Sequence, residues 1–149
     1  FVKTISLTYK KMPFLRIAPI CNGKIYVAPR SYQGEEPGKL DIPMEDYIYA
    51  CKTDTDKYAK EVENKYSNHI TGQPEPRFSL KHLVKETNGV KKTIMLYILP
   101  LNDEEQIHFT GGKFVTPEEI EMNSAQYSSF LKEEIDHLNI VTQMWEEFK

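Results

Sequence analysis

Two cysteines, one tryptophan and seven glycines are all that this chain of 149 residues holds of these types. Two cysteines are too few for a disulfide framework, so Cys21 and Cys51 read as packing residues and a reducing compartment suits the chain. No apolar run approaches the roughly 20 residues a membrane helix needs, and no secretory signal is visible. The expected location is therefore cytoplasmic, away from membranes. Positive charge is not in excess either: the formal net charge is −3, which gives no electrostatic footprint for general nucleic-acid binding. A glycine-rich phosphate loop, a dinucleotide fingerprint and a Ser/His/Asp or Cys/His arrangement are all missing. His69, His82, His108 and His137 show no metal-ligand spacing. Internal repeats and low-complexity segments are absent.

What is present suits one domain over residues 1–149, large enough to bury a real core. The first residue is Phe1, which is expected of a processed or excised fragment. Residues 1–11 alternate in part and read as a strand or an arm. Phe14–Cys21 and Lys24–Arg30 are apolar runs joined by Asn22-Gly23, the strongest short-range signal for a hairpin. A loop follows over Ser31–Lys39, then an extended piece at Leu40–Pro43. Residues 55–66 carry Tyr58, Ala59, Val62 and Tyr66 on one helical face. Phe78, Leu80, His82 and Val84 alternate. Asn88-Gly89 then predicts a second hairpin into Lys92–Leu99, whose nearly continuous apolar run reads as a strand covered on both faces. Thr116-Pro117-Glu118-Glu119 predicts a helix start with a cap, a first-position proline and a capping box. A last helix is expected over residues 124–148, with an apolar stripe from Tyr127 to Phe148.

The stretch Leu40–Ser67 resembles the Nudix box, G-x5-E-x7-R-E-U-x-E-E-x-G-U with U apolar. Asp41-Ile42-Pro43 matches the strand end that precedes the box in that family, and Met44-Glu45 stands where Gly-Gly would be. Lys60 replaces the arginine, Glu61 and Val62 match, and Asn64 and Lys65 replace the last two glutamates. Ser67 stands near the glycine, and Lys52 falls where the loop glutamate belongs. The first hairpin, ending in Arg30, and Phe114-Val115-Thr116-Pro117-Glu118-Glu119-Ile120 also resemble family elements, so the likeness spans residues 12–148. It implies an α/β/α sandwich: a mixed, curved sheet with the box helix on one side and the C-terminal helix on the other.

The resemblance also implies an activity, the hydrolysis of nucleoside-diphosphate derivatives with Mg²⁺ or Mn²⁺. Carboxylates at i, i+3 and i+4 share a helix face and converge on the ion. Here those positions hold Glu61, Asn64 and Lys65. One acid is left, so the box is degenerate and the usual metal site is expected to be weak or absent. If activity persists, Glu61 is the expected ligand and catalytic residue, with Glu45 or Glu119 compensating. Arg30, Arg77 and His82 are the candidates for substrate binding. The plainer readings are a solvated helix glutamate, capping acids, salt-bridged arginines and a half-buried histidine. The other functional reading needs no cofactor: a non-catalytic module on the same fold that binds a nucleotide or a protein partner. A different α+β domain is the remaining alternative.

Overall fold

The computed structural model describes residues 14–48, 55–85 and 91–149. Its strands are β1 (Phe14–Cys21), β2 (Lys24–Pro29), β3 (Leu40–Asp41), β4 (Met44–Tyr47), β5 (Arg77–Lys85), β6 (Lys91–Pro100) and β7 (Lys113–Val115). Its α-helices are α1 (Thr55–Lys65), α2 (Pro117–Met122) and α3 (Ser129–Phe148). All seven strands form one mixed sheet in the order β3-β2-β1-β6-β5, with β4 also pairing β1 and β7 pairing β2.

The centre is β1, buried at every residue. It runs parallel to β6 from Phe14 to Ile20. Its other edge is shared: Phe14–Ile17 pair with β4, and Ile20–Cys21 pair with β2. Ala18 and Pro19 lie between these pairings, where a residue without an N–H is tolerated. Alternation assigns the two faces. Ala18, Ile20, Ile25, Val27, Leu96 and Ile98 pack with Leu131, Ile135 and Leu138 of α3. Leu15, Ile17, Tyr26, Met44, Tyr97 and Leu99 pack with Ala59 and Val62 of α1. The result is the expected α/β/α sandwich, with β6 covered on both faces.

Asn22 and Gly23 both take positive φ, 54° and 75°, as a tight hairpin turn after β1 demands. The β5–β6 pair is antiparallel as expected, while its Asn88-Gly89 turn lies outside the described residues, as do residues 1–13 and Cys51. Cys21 is buried in the core.

Met44 and Glu45 belong to β4, whose antiparallel register sets Glu45 opposite Arg16. Two expectations need correction. The last helix does not run from residue 124. A 3₁₀ turn at Ser124–Gln126 ends in extended Tyr127, the Ser128 hydroxyl accepts from Leu131 N, and α3 starts at Ser129. The apolar stripe crosses that break because Tyr127 is buried too, and periodicity cannot see a cap. At Thr116 only half of the capping box forms, Glu119 N donating to Thr116 Oγ1. A full box occurs instead at Asp103–Gln106.

Candidate functional site

The site begins with an arginine inside an apolar strand. Arg16 of β1 is fully buried and points to the α3 face by the strand's alternation. A buried guanidinium must find acceptors for its five N–H donors. Nε donates to both oxygens of Glu134 on α3 at 3.2 and 3.0 Å. Nη1 donates to Asp41 at 3.2 Å and to Glu45 at 2.6 Å. Nη2 donates to Asp41 at 2.8 Å and to Glu134 at 2.8 Å. Arg30, at the end of the first hairpin, adds a contact of 2.5 Å to Asp41 and one of 3.5 Å to Glu45. His82 of β5 closes the group from behind, 3.1 Å from Glu134. Both guanidinium groups lie over the Phe130 ring, at 5.2 and 5.5 Å.

Burial works against the charge on Arg16, but Asp41, Glu134 and Glu45 hold its pKa well above the ordinary value. Burial likewise opposes ionised Asp41, and the Arg16 and Arg30 guanidiniums outweigh it and hold the carboxyl low. Glu45 goes the other way: burial pushes it up, and Arg16 does not fully offset that. A carboxyl raised by folding contributes stability below its unfolded pKa and loses it as pH rises through the folded value. Ionised Glu45 is therefore a cost at neutral pH. Glu45→Gln is expected to keep or raise the melting temperature near neutrality and to remove part of the stability gained toward about pH 4. A melting series over pH checks this, and a large loss at neutrality would contradict it.

In front of this network lies a cavity of about 470 Å³ whose lining includes Arg30, Asp41, Glu45, His69 and Phe109. His69 ends a short 3₁₀ turn after α1, and Phe109 precedes β7. The bridge between Ile70 and Ile107 draws these segments together, and His108 N donates to His69 O at 2.9 Å. The two rings stack at 3.9 Å with planes 7° apart. The His69 Nδ1 is 2.9 Å from the His108 carbonyl. A carbonyl only accepts, so Nδ1 carries the proton. Tyr26 and Tyr66 back Phe109 at 6.1 and 5.8 Å.

Of the residues singled out in the sequence, Arg30 and Glu45 meet in this cleft, and His82 touches the same network through Glu134. The other three stand apart. Glu61 is exposed on α1 and Glu119 is exposed on α2. Arg77 is exposed and lines a second cavity of about 480 Å³ with Phe78, Trp145 and Phe148. Arg16, Glu134, His69 and Phe109 escaped the sequence reading. Only Arg16 left a signal there: a charge inside a strand that reads as buried needs a partner.

The sequence matches no protein-family model and no curated protein. Solved structures do match. DR0079 from Deinococcus radiodurans superposes with a TM-score of 0.62 at 15% identity, over 87% of this chain and 83% of that one. A Nudix hydrolase from Nitrosomonas europaea gives 0.58 at 13%, over 87% and 90%. The Nudix domain of Shewanella oneidensis NrtR, in complex with ADP-ribose, gives 0.58 at 12%, over 93% and 89%.

The fold is the Nudix fold.

Within this Nudix fold α1 is the helix that resembles the box, and its donor set does not fit a Mg²⁺ ion. Mg²⁺ takes oxygen ligands. Of the three box positions, Glu61 is a single exposed acid, Asn64 is an amide, and Lys65 is an amine whose Nζ bonds Asp46 of β4 at 2.8 Å. Of the carboxylates that line the cleft, Asp41 and Glu45 are engaged by guanidinium groups, as is Glu134 behind them. Among the described residues no group of three or more His, Cys, Asp or Glu is placed to hold a metal ion.

Proposed function

We propose that this chain is a Nudix-fold binding module that takes a nucleotide derivative in the cleft of Arg30, Glu45, His69 and Phe109, without metal-dependent pyrophosphate hydrolysis. The carrying observation is the Lys65–Asp46 ion pair. It places an ammonium where the resemblance would have a carboxylate, and it occupies the neighbouring acid on β4. The ADP-ribose complex of the Shewanella domain supports the ligand class, since that domain shares the fold. A protein-binding role remains compatible with the same architecture, because fold does not fix function.

The test is a melting experiment with ADP-ribose, run with Mg²⁺ and again with a chelator, beside an assay for hydrolysis products. Stabilisation by mass action reaches about 2.7 kcal/mol at 100 times the dissociation constant. It is expected to be the same in both conditions, with no product. Mg²⁺-dependent turnover would overturn the proposal.

One observation favours a second reading, a hydrolase with relocated acids. Glu45 combines an opening to the cleft with a raised proton affinity, the property of a general acid or base. A Mg²⁺ or Mn²⁺ screen over nucleoside-diphosphate derivatives examines it. If turnover appears, Glu45→Gln, Glu61→Gln and Glu119→Gln sort the three acids by which change abolishes it.

A further inference from the structure

Resting on the reading that this cleft binds a nucleotide derivative, the wall chemistry specifies which end of the ligand goes in. The ionisable side chains of the lining are Arg30, Glu35, Asp41, Glu45 and His69. Two nitrogens of the one guanidinium in the lining are committed to protein oxygens: Nη1 to Asp41 at 2.5 Å and Nε to the Glu35 carbonyl at 2.8 Å. Behind the lining the Arg16 guanidinium also engages Asp41 and Glu45, but it is shared with Glu134, so the four carboxylates Glu35, Asp41, Glu45 and Glu134 still outnumber the two guanidiniums. A diphosphate brought here would meet like charge in a partly dehydrated site, where Coulomb repulsion is strong. On the lining set out above, the donor set offers no metal to neutralise it.

A group with hydroxyl donors meets the opposite situation. Glu45 uses Oε1 for both Arg16 and Arg30, and among the described residues no hydrogen bond engages Oε2, which can accept from a ligand. Glu45 is about one-fifth exposed, with its side chain at 20%. Across the cleft, His69 is exposed while Phe109 covers one face of its ring at 3.9 Å. The ring is tied at Nδ1, so it is held in one orientation before any ligand arrives. A tethered flat ring backed by a second one is a platform for stacking a planar heterocycle.

We propose that the cleft takes the uncharged nucleoside end of its ligand, the base stacked on His69 and the ribose hydroxyls donating to Glu45, with the phosphate groups left in solvent at the mouth. Binding energy then comes from stacking and from hydrogen bonds to a ligand end that carries no charge, and salt has little effect on it. This separates the cleft from a site that holds its ligand by the phosphates.

Calorimetric titration of the chain tests it, using adenosine, guanosine, cytidine and uridine, ADP-ribose, and inorganic pyrophosphate, each at low and high salt. At least one nucleoside is expected to bind about as tightly as ADP-ribose, with pyrophosphate silent and salt without effect. His69→Ala is expected to weaken the nucleoside at least about fivefold, the lower end of what a base–aromatic stack contributes. His69→Phe, which keeps a flat ring, should restore it. Glu45→Ala should erase the preference for the nucleoside over its 2′,3′-dideoxy form. Binding of ADP-ribose without any nucleoside, binding of pyrophosphate, or a steep fall with salt overturns this inference and leaves the cleft standing as a ligand site. If none of the probes binds, the cleft reading falls and this inference falls with it.

Discussion

Arg16→Met is expected to destabilise the protein by about 3–5 kcal/mol at neutral pH, the cost of stranding buried charges whose partner has been removed. Asp41 and Glu134 are both essentially inaccessible to solvent, and Glu45 stands directly across the strand pair. Arg30 would still reach Asp41 and His82 would still reach Glu134, so neither acid is left wholly alone. The pH dependence distinguishes this from a plain packing defect. In the parent chain Asp41 is held low, so its contribution is present above its unfolded pKa of about 3.9 and is lost as pH falls through the folded value. Without Arg16, burial acts on Asp41 with less opposition and raises its carboxyl. Its contribution is then present below the unfolded value and disappears as pH rises through the folded one. The variant is thus expected to sit closest to the parent near about pH 4 and furthest at neutrality. Urea unfolding at both pH values measures it; an equal deficit at both would show that the charges are not responsible. Arg16→Lys keeps a cation but has no planar fork, so it should recover only part of the loss.

Gly112→Ala should cost about 2–4 kcal/mol, combining overpacking with displaced hydrogen bonds. A methyl group there would overlap the Tyr26 phenol. Tyr26 cannot step aside: it is 3% exposed and wedged between Phe109 and Phe114. Its hydroxyl accepts from Phe109 N at 2.8 Å and donates to Phe109 O at 3.3 Å. Pushing the phenol away therefore shifts Phe109, and with it the ring stacked on His69. The variant should lose ligand-induced stabilisation as well as intrinsic stability. Gly34→Ala is the control, in the cleft lining itself, where a methyl group meets nothing nearer than 3.8 Å. Unfolding curves and ligand melting shifts for the pair decide the matter; equal stability of the two variants would remove the argument.

Particular residues show how far the sequence could be read. Val62 and Ala59 repeat at helical spacing and are buried on α1. Leu15 and Ile17 alternate with Ala18 and Ile20 to the other side of the sheet, although the whole run is apolar. Asn22-Gly23 states its turn outright, and Thr116-Pro117 states its helix start. These features are local, and local sterics and burial periodicity determine them. Glu45 was visible as an acid near the box, but its role was not. Its partner Arg16 lies 29 residues earlier and faces it only because β4 forms. Glu134 meets the same guanidinium from 118 residues away. The His69–Phe109 stack joins two irregular segments with no periodicity to betray them.

By itself the sequence determined a two-faced sheet between helices, because alternation and helical spacing record which side of each element avoids water. It also determined that α1 carries an amide and an amine, Asn64 and Lys65, on the helix face of Glu61, since that is a matter of residue identity. Only the tertiary structure decided which charges share one buried site and that two rings from separate loops form a wall of the cleft. A burial pattern tells a side chain to leave water, but it carries no information about which distant group it will meet there.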